Sequence, residues 1–201
     1  MTAAAARPDL AVLTTDAVES RGGALSPGTY YSIRDFPVDG QQLAILRSNF
    51  IFGAGAVRAD VFRAVGGYRA GARYAEDWDL WIRLVLMGHR AGLIEQPLYE
   101  YRRRGESLTG QKVELALGVL DVLAHARPLV VSSEQRQRLQ LTEQEWREVA
   151  ARAAWKTADP RARRLAIRAA AGARSAPLAR IRFAAAALLP RRPTPAEAGN
   201  Q

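Results

Sequence analysis

The chain has 201 residues, 48% hydrophobic and 24% charged, so one buried core is affordable and wholesale disorder is excluded. There is no cysteine and there are two histidines, His89 and His125, which excludes a disulfide framework, a zinc ribbon, a cysteine nucleophile and a multi-histidine metal centre. The net charge of +9 sits at one end: residues 1–110 sum to +1, 111–149 to −1 and 150–201 to +9.

Residues 1–15, MTAAAARPDLAVLTT, lack a basic segment followed by a long apolar run, so no secretory signal is read there. Residues 10–18, LAVLTTDAV, are apolar and β-branched and predict a strand. Gly22, Gly23, Pro27 and Gly28 predict a loop, and Asp39 a cap for a short helix over 40–47. Residues 50–57, FIFGAGAV, predict an apolar strand whose small patch at Gly53, Ala54 and Gly55 suits close approach of a ligand or another backbone, or tight packing under a helix. A short helix over 59–65 is stopped by Gly66 and Gly67. A stronger helix covers 76–87, closed by Gly88, and two short strands, 91–95 and 98–103, flank Gln96-Pro97. From Ser107 onward the pattern is helical, with breaks at Pro128, Asp159-Pro160, 172–177 and Pro190. Ser132 with Gln135 and Thr142 with Glu145 both fit a capping box, and 143–172 reads as one helical hairpin. Three segments follow: a mixed domain over 1–106, a helical extension over 107–189 and a disordered tail over 190–201.

The basic excess in 150–201 is arginine interleaved with alanine rather than with the aromatic residues that stack on bases. Nucleic acid is therefore a disfavoured partner. A solvated helical face is the plain reading, and peripheral contact with an anionic membrane is the functional alternative. The longest apolar run near the end, 183–189, has seven residues, whereas a membrane-spanning helix needs about 20. With no cysteine, the expected location is cytoplasmic, with peripheral contact at the inner face of the membrane as the variant.

Residues 74–90, YAEDWDLWIRLVLMGHR, are the most informative stretch. Glu76, Asp77 and Asp79 fall in the predicted first helical turn, where carboxylates complement the helix dipole. Glu76, Asp79 and Arg83 share one face, with Asp79 and Arg83 at pairing distance in sequence. Asp77 instead heads the apolar stripe of Leu80, Trp81 and Leu84, where burial disfavours charge. It is either a cap or a general base. Asp77-Trp78-Asp79 also spells D-x-D, but the two carboxylates diverge by about 200° on a helix and do not read as one metal site.

The run from Asn49 to Thr109 resembles the acceptor half of family 2 glycosyltransferases. The resemblance rests on the small-residue strand ending in Val57-Arg58, Val65-Gly66-Gly67-Tyr68, Glu76-Asp77-Trp78-Asp79-Leu80-Trp81 with Arg83, Gly88, Pro97-Leu98, and Tyr101-Arg102 with Ser107-Leu108-Thr109. Residues 7–17 resemble the stretch that follows the family's metal-binding strand, so about half of the chain is covered. The resemblance implies an α/β fold: a partial Rossmann-like, A-type glycosyltransferase sheet followed by an all-helical extension. It implies transfer of a sugar from a nucleotide-diphospho donor to the hydroxyl of a glycan or lipid-linked acceptor, with inversion. Asp77 would be the base, Gly67, Glu76 and Trp78 would shape the acceptor and donor-sugar pocket, and Arg102 and Arg104 would lie near the donor diphosphate. Arg104 stands where family members often carry histidine.

In that family the nucleotide-binding half and its D-x-D come before the segment that opens this sequence, and no other D-x-D precedes Asp16 here. The divalent cation, Mg or Mn, expected for the full family enzyme would thus have its main ligands outside this chain. Read this way, the sequence is a fragment or a native short protein, with little transfer activity alone. Its strand at 10–18 would have an unpaired apolar edge, met by self-association or by a second polypeptide that completes the sheet. The non-catalytic alternative is a remnant that docks to an anionic membrane or a partner enzyme through 150–189, using Arg163, Arg164, Arg168, Arg174, Arg180 and Arg182.

Overall fold

The computed structural model describes residues 2–103 and 111–172. In chain order these form α1 (Thr2–Ala6), β1 (Leu10–Arg21), β2 (Ala24–Thr29), a 3-10 turn (Tyr30–Ile33), α2 (Gln41–Arg47), β3 (Gly55–Val57), α3 (Ala59–Ala64), α4 (Glu76–Leu86) and β4 (Arg90–Arg103). Then come α5 (Lys112–Ala126), a 3-10 turn (Arg127–Leu129), α6 (Ser133–Lys156) and α7 (Ala162–Gly172). The protein is mixed α/β, with four strands in one mixed sheet. Among the described residues no helix is long and apolar enough to cross a membrane.

β1 is the centre of the sheet. It pairs in parallel with β4 from Leu10↔Arg90 to Arg21↔Arg103, and antiparallel with β3 at Val12↔Val57 and with β2 at Arg21↔Ala24. The expected unpaired edge on this strand is therefore not found; β4 covers one side, and β3 and β2 share the other. β2 itself replaces the loop expected at Pro27 and Gly28. Gly22 and Gly23 take φ of 59° and 86°, and this pair of positive values makes the two-residue hairpin turn that lets the chain double back so early.

The strand expected over 50–57 is confined to its last three residues. Upstream, side chains satisfy the backbone in place of a ladder: the Tyr31 hydroxyl donates to the Phe50 carbonyl at 2.7 Å and accepts from the Phe52 N–H at 2.9 Å, while the Thr14 hydroxyl donates to the Phe52 carbonyl at 3.0 Å. The two strands expected around Gln96-Pro97 form one strand, because the register jumps from Thr15↔Ile94 to Asp16↔Pro97 and the extra residues are absorbed as a bulge. Proline is tolerated there because β4 pairs only with β1 among the described residues.

By contacts, residues 2–103 and 122–139 form one compact unit, and 111–121 with 140–172 another. The first unit thus includes helical residues beyond the boundary expected at 106. Its core holds Trp81, Leu80, Ile82 and Leu84 of α4 with Ile45 and Leu46 of α2, all fully buried. Burying each such side chain contributes roughly 1.5–3 kcal/mol. Polar clasps fix the layers: Trp78 Nε1 donates to the Ile45 carbonyl at 2.8 Å, and the Gln41 amide donates to the Ala91 carbonyl and accepts from its N–H at 2.8 and 2.9 Å.

The second unit packs small residues of three helices: Val113 and Ala116, Ala150, Ala151, Ala153 and Ala154, and Leu165, Ala166 and Ala169. Alanine permits close helix approach, and the expected hairpin over 143–172 is present, with Gln144 Nε2 donating to the Ala169 carbonyl at 2.9 Å. The Ser132–Gln135 capping box forms, with hydrogen bonds of 3.0 and 3.2 Å. Thr142 and Glu145 lie inside α6 and cap nothing. The expected tail at 190–201 lies outside the described residues.

Candidate functional site around Asp77

The three carboxylates at the head of α4 have three different environments. Glu76 is exposed. Asp79 is 3% exposed and takes two cations: Arg69 Nε at 3.0 Å on one oxygen, and Arg83 at 2.8 Å on the other. Arg83 goes on to donate to the Val65 and Gly67 carbonyls at 2.5 and 2.7 Å, fastening the turn after α3 to α4. Asp79 is therefore a structural counter-ion.

Asp77 points elsewhere, half-buried. Its Oδ1 accepts from the Trp78 N–H at 2.7 Å and its Oδ2 from Asn49 Nδ2 at 3.1 Å. Burial pushes its carboxyl above the ordinary aspartate range; the two hydrogen bonds oppose this and the neighbouring Glu76 charge adds to it. Gly53 forms one wall, since a Cβ built there would stand 3.3 Å from Asp77 Oδ2. Within the small patch noticed in the sequence, the close approach is thus by a carboxylate at Gly53, whereas at Gly55 the Leu13 carbonyl, 3.5 Å from a Cβ built there, is at ordinary van der Waals distance. The other amide atom, Asn49 Oδ1, is buried with no hydrogen-bond partner among the described residues. The backbone concentrates strain here as well: Ala75, the residue before the helix, holds φ 57° and ψ 34°, a left-handed conformation uncommon for alanine.

An aromatic cluster adjoins Gly53. Phe52 lies 4.7 Å from Tyr30, 5.5 Å from Tyr99 and 5.8 Å from Tyr101, ring centre to ring centre. Tyr30 also carries the Arg34 guanidinium 4.0 Å over its ring. Burial raises the Tyr30 hydroxyl pKa, Arg34 opposes this, and the charges of Asp77 and Tyr101 add to it, so these groups share one electrostatic neighbourhood. Sequence reading passed over Asn49, Tyr30, Phe52 and Tyr99, which follow no helical or strand period relative to Asp77 and converge only through the 50–54 bend.

The other residues singled out from sequence are placed differently. Trp78 is 3% exposed and anchors α4 on α2. Gly67, at φ 66°, ends α3, its N–H donating to the Phe62 carbonyl at 2.9 Å. Arg102 pairs with Glu100 at 3.3 Å, and strand alternation puts both on the face opposite Tyr101. Arg104 lies outside the described residues.

The donor set does not fit a divalent ion. Both Asp79 oxygens are taken by arginines, Asp77 faces away from them, and no cluster of three histidine or carboxylate groups exists among the described residues. No protein-family model matches the chain, and no curated protein and no solved structure shows significant similarity to it.

Proposed function

We propose that the first unit is the acceptor-side half of an inverting, family 2-like glycosyltransferase, with its sheet a part of the Rossmann-like sheet of that fold class and Asp77 as the general base. The observation that carries this reading is the environment of Asp77: a half-buried carboxylate with raised proton affinity, held through one oxygen by Asn49. A carboxylate so perturbed is a better base at neutral pH than an exposed one. In the reaction the acceptor oxygen attacks the anomeric carbon of a nucleotide-diphospho-sugar, the bond to the diphosphate breaks with inversion, and the hydroxyl proton passes to Asp77. No step is assigned to a metal ion in this chain. The reading implies a cytoplasmic enzyme with a glycan or lipid-linked acceptor.

The test uses protein purified from its own cells through an affinity tag, beside Asp77→Asn produced the same way. Release of nucleoside diphosphate from a panel of nucleotide-sugars should fall by about 10²–10⁴-fold in the variant. Equal turnover by the two proteins removes Asp77 from the chemistry. A second reading, docking of the basic segment to an anionic membrane, is favoured by α7, where Arg163, Arg164 and Arg168 are exposed around Ile167, itself 55% exposed. It predicts sedimentation with anionic but not neutral liposomes, fading with salt. Arg174, Arg180 and Arg182 lie outside the described residues.

A further inference from the structure

The half-buried carboxylate of Asp77 has different surroundings on each side. Its Oδ1 accepts from the N–H of Trp78, a buried residue. Its Oδ2 accepts from Asn49 Nδ2, and the other atom of that amide, Oδ1, is buried. Both of these flanks are closed to solvent. The third neighbour is Gly53, where the chain comes to the surface after the buried Ile51 and Phe52. A Cβ built at Gly53 stands 3.3 Å from Asp77 Oδ2, and apart from the two chain neighbours no other atom of the described residues lies within 4 Å of it. The space that a side chain would fill is therefore open, lies against the carboxylate oxygen and borders solvent. Backbone conformation does not demand glycine here, since Gly53 is not among the residues with positive φ.

We propose that substrate reaches Asp77 Oδ2 over Gly53, and that this glycine is a specificity-determining residue of the site: it admits a hydroxyl-bearing carbon to the carboxylate where any side chain would stand in the way. The identity of the incoming group, an acceptor hydroxyl, rests on the glycosyl-transfer reading. The route itself rests on the position of Gly53 and on the two closed flanks. A methyl group at this position would also exclude water from Oδ2 without supplying a hydrogen bond, and so would disfavour the charged form further.

Carbodiimide coupling of methylamine to the full chain in mild acid tests the route without turnover. The carbodiimide adds to a protonated carboxyl, methylamine displaces it as a urea to leave an amide, and mass spectrometry reads the adduct at Asp77 beside that at the exposed Glu76. Asp77 of the parent should be labelled, and Gly53→Ala should be labelled there about tenfold more slowly, with Glu76 unchanged. A raised proton affinity would speed the coupling, so slowing reports lost access and not titration. Gly53→Ser obstructs the same space and should slow the reaction likewise. Gly55→Ala, where a Cβ meets its neighbours at ordinary contact distance, should react as the parent does. An Asp77 left unlabelled in the parent, or equal rates in the parent and both Gly53 variants, overturns the proposal. If the Gly53 variants slow labelling while Asp77→Asn leaves turnover intact, the route stands and the base assignment falls. If labelling is equal while Asp77→Asn abolishes turnover, the base stands and the route falls.

Discussion

Asp77 shows how one position in a helical turn decides chemistry. Its folded carboxyl titrates above the unfolded value of 3.8, so the folded chain binds the proton more tightly than the unfolded one. Stability must then rise as pH falls through the folded pKa toward the unfolded value, and the charge must weigh against folding at neutral pH. Asp77→Asn should flatten this dependence and be at least as stable as the parent at pH 7, as measured by urea melts across pH 4–7. Asn49→Leu removes a hydrogen bond that favours the charged form. It should move the acid limb of any pH–rate profile to higher pH, and an unmoved limb would detach Asn49 from the site. Ala75→Gly should stabilise by about 1 kcal/mol, because glycine occupies the left-handed region without the Cβ clash.

At the scale of elements, α4 is held by charge as well as by its apolar face. Asp79→Asn leaves Arg69 and Arg83 without their shared counter-ion in a largely buried position and should cost about 3 kcal/mol. Glu76→Gln, exposed in the same turn, should change stability by no more than about 0.5 kcal/mol. The pair of variants therefore separates a buried structural carboxylate from an exposed one by thermal melting alone. The 50–54 bend depends in the same way on Tyr31, whose hydroxyl bridges two backbone groups and whose pKa burial pushes up to about 12. Tyr31→Phe strands the Phe50 carbonyl and the Phe52 N–H and should cost about 2 kcal/mol in a urea melt. The predicted strand over 50–57 is lost only over 50–54 for this reason: the hydroxyls of Thr14 and Tyr31, from distant elements, satisfy the backbone in place of a ladder.

At the scale of the molecule, the central position of β1 removes the open edge that the resemblance led one to expect on that strand. The edges left unpaired among the described residues belong to β2, which carries Pro27, to β3, three residues long, and to β4, which carries Glu95, Pro97, Glu100 and Arg102. Short length, proline and charge all discourage edge-to-edge pairing. Sedimentation is expected to give a monomer whose melting does not depend on concentration; a dimer would locate a sheet partner on one of these edges.

Sequence alone determined what periodicity and local chemistry can carry. The strand at 10–18, the helices at 59–65 and 76–87, the cap at Ser132, the break at Asp159-Pro160 and the divergence of Asp77 from Asp79 all follow from neighbours within a few residues. The tertiary structure alone decided which carboxylate became a counter-ion and which kept a raised proton affinity. Arg69 and Asn49 lie 10 and 28 residues from their partners. It likewise gathered Tyr30, Phe52, Tyr99 and Tyr101, since sheet pairing and the Tyr31-bound bend join segments that no sequence period relates.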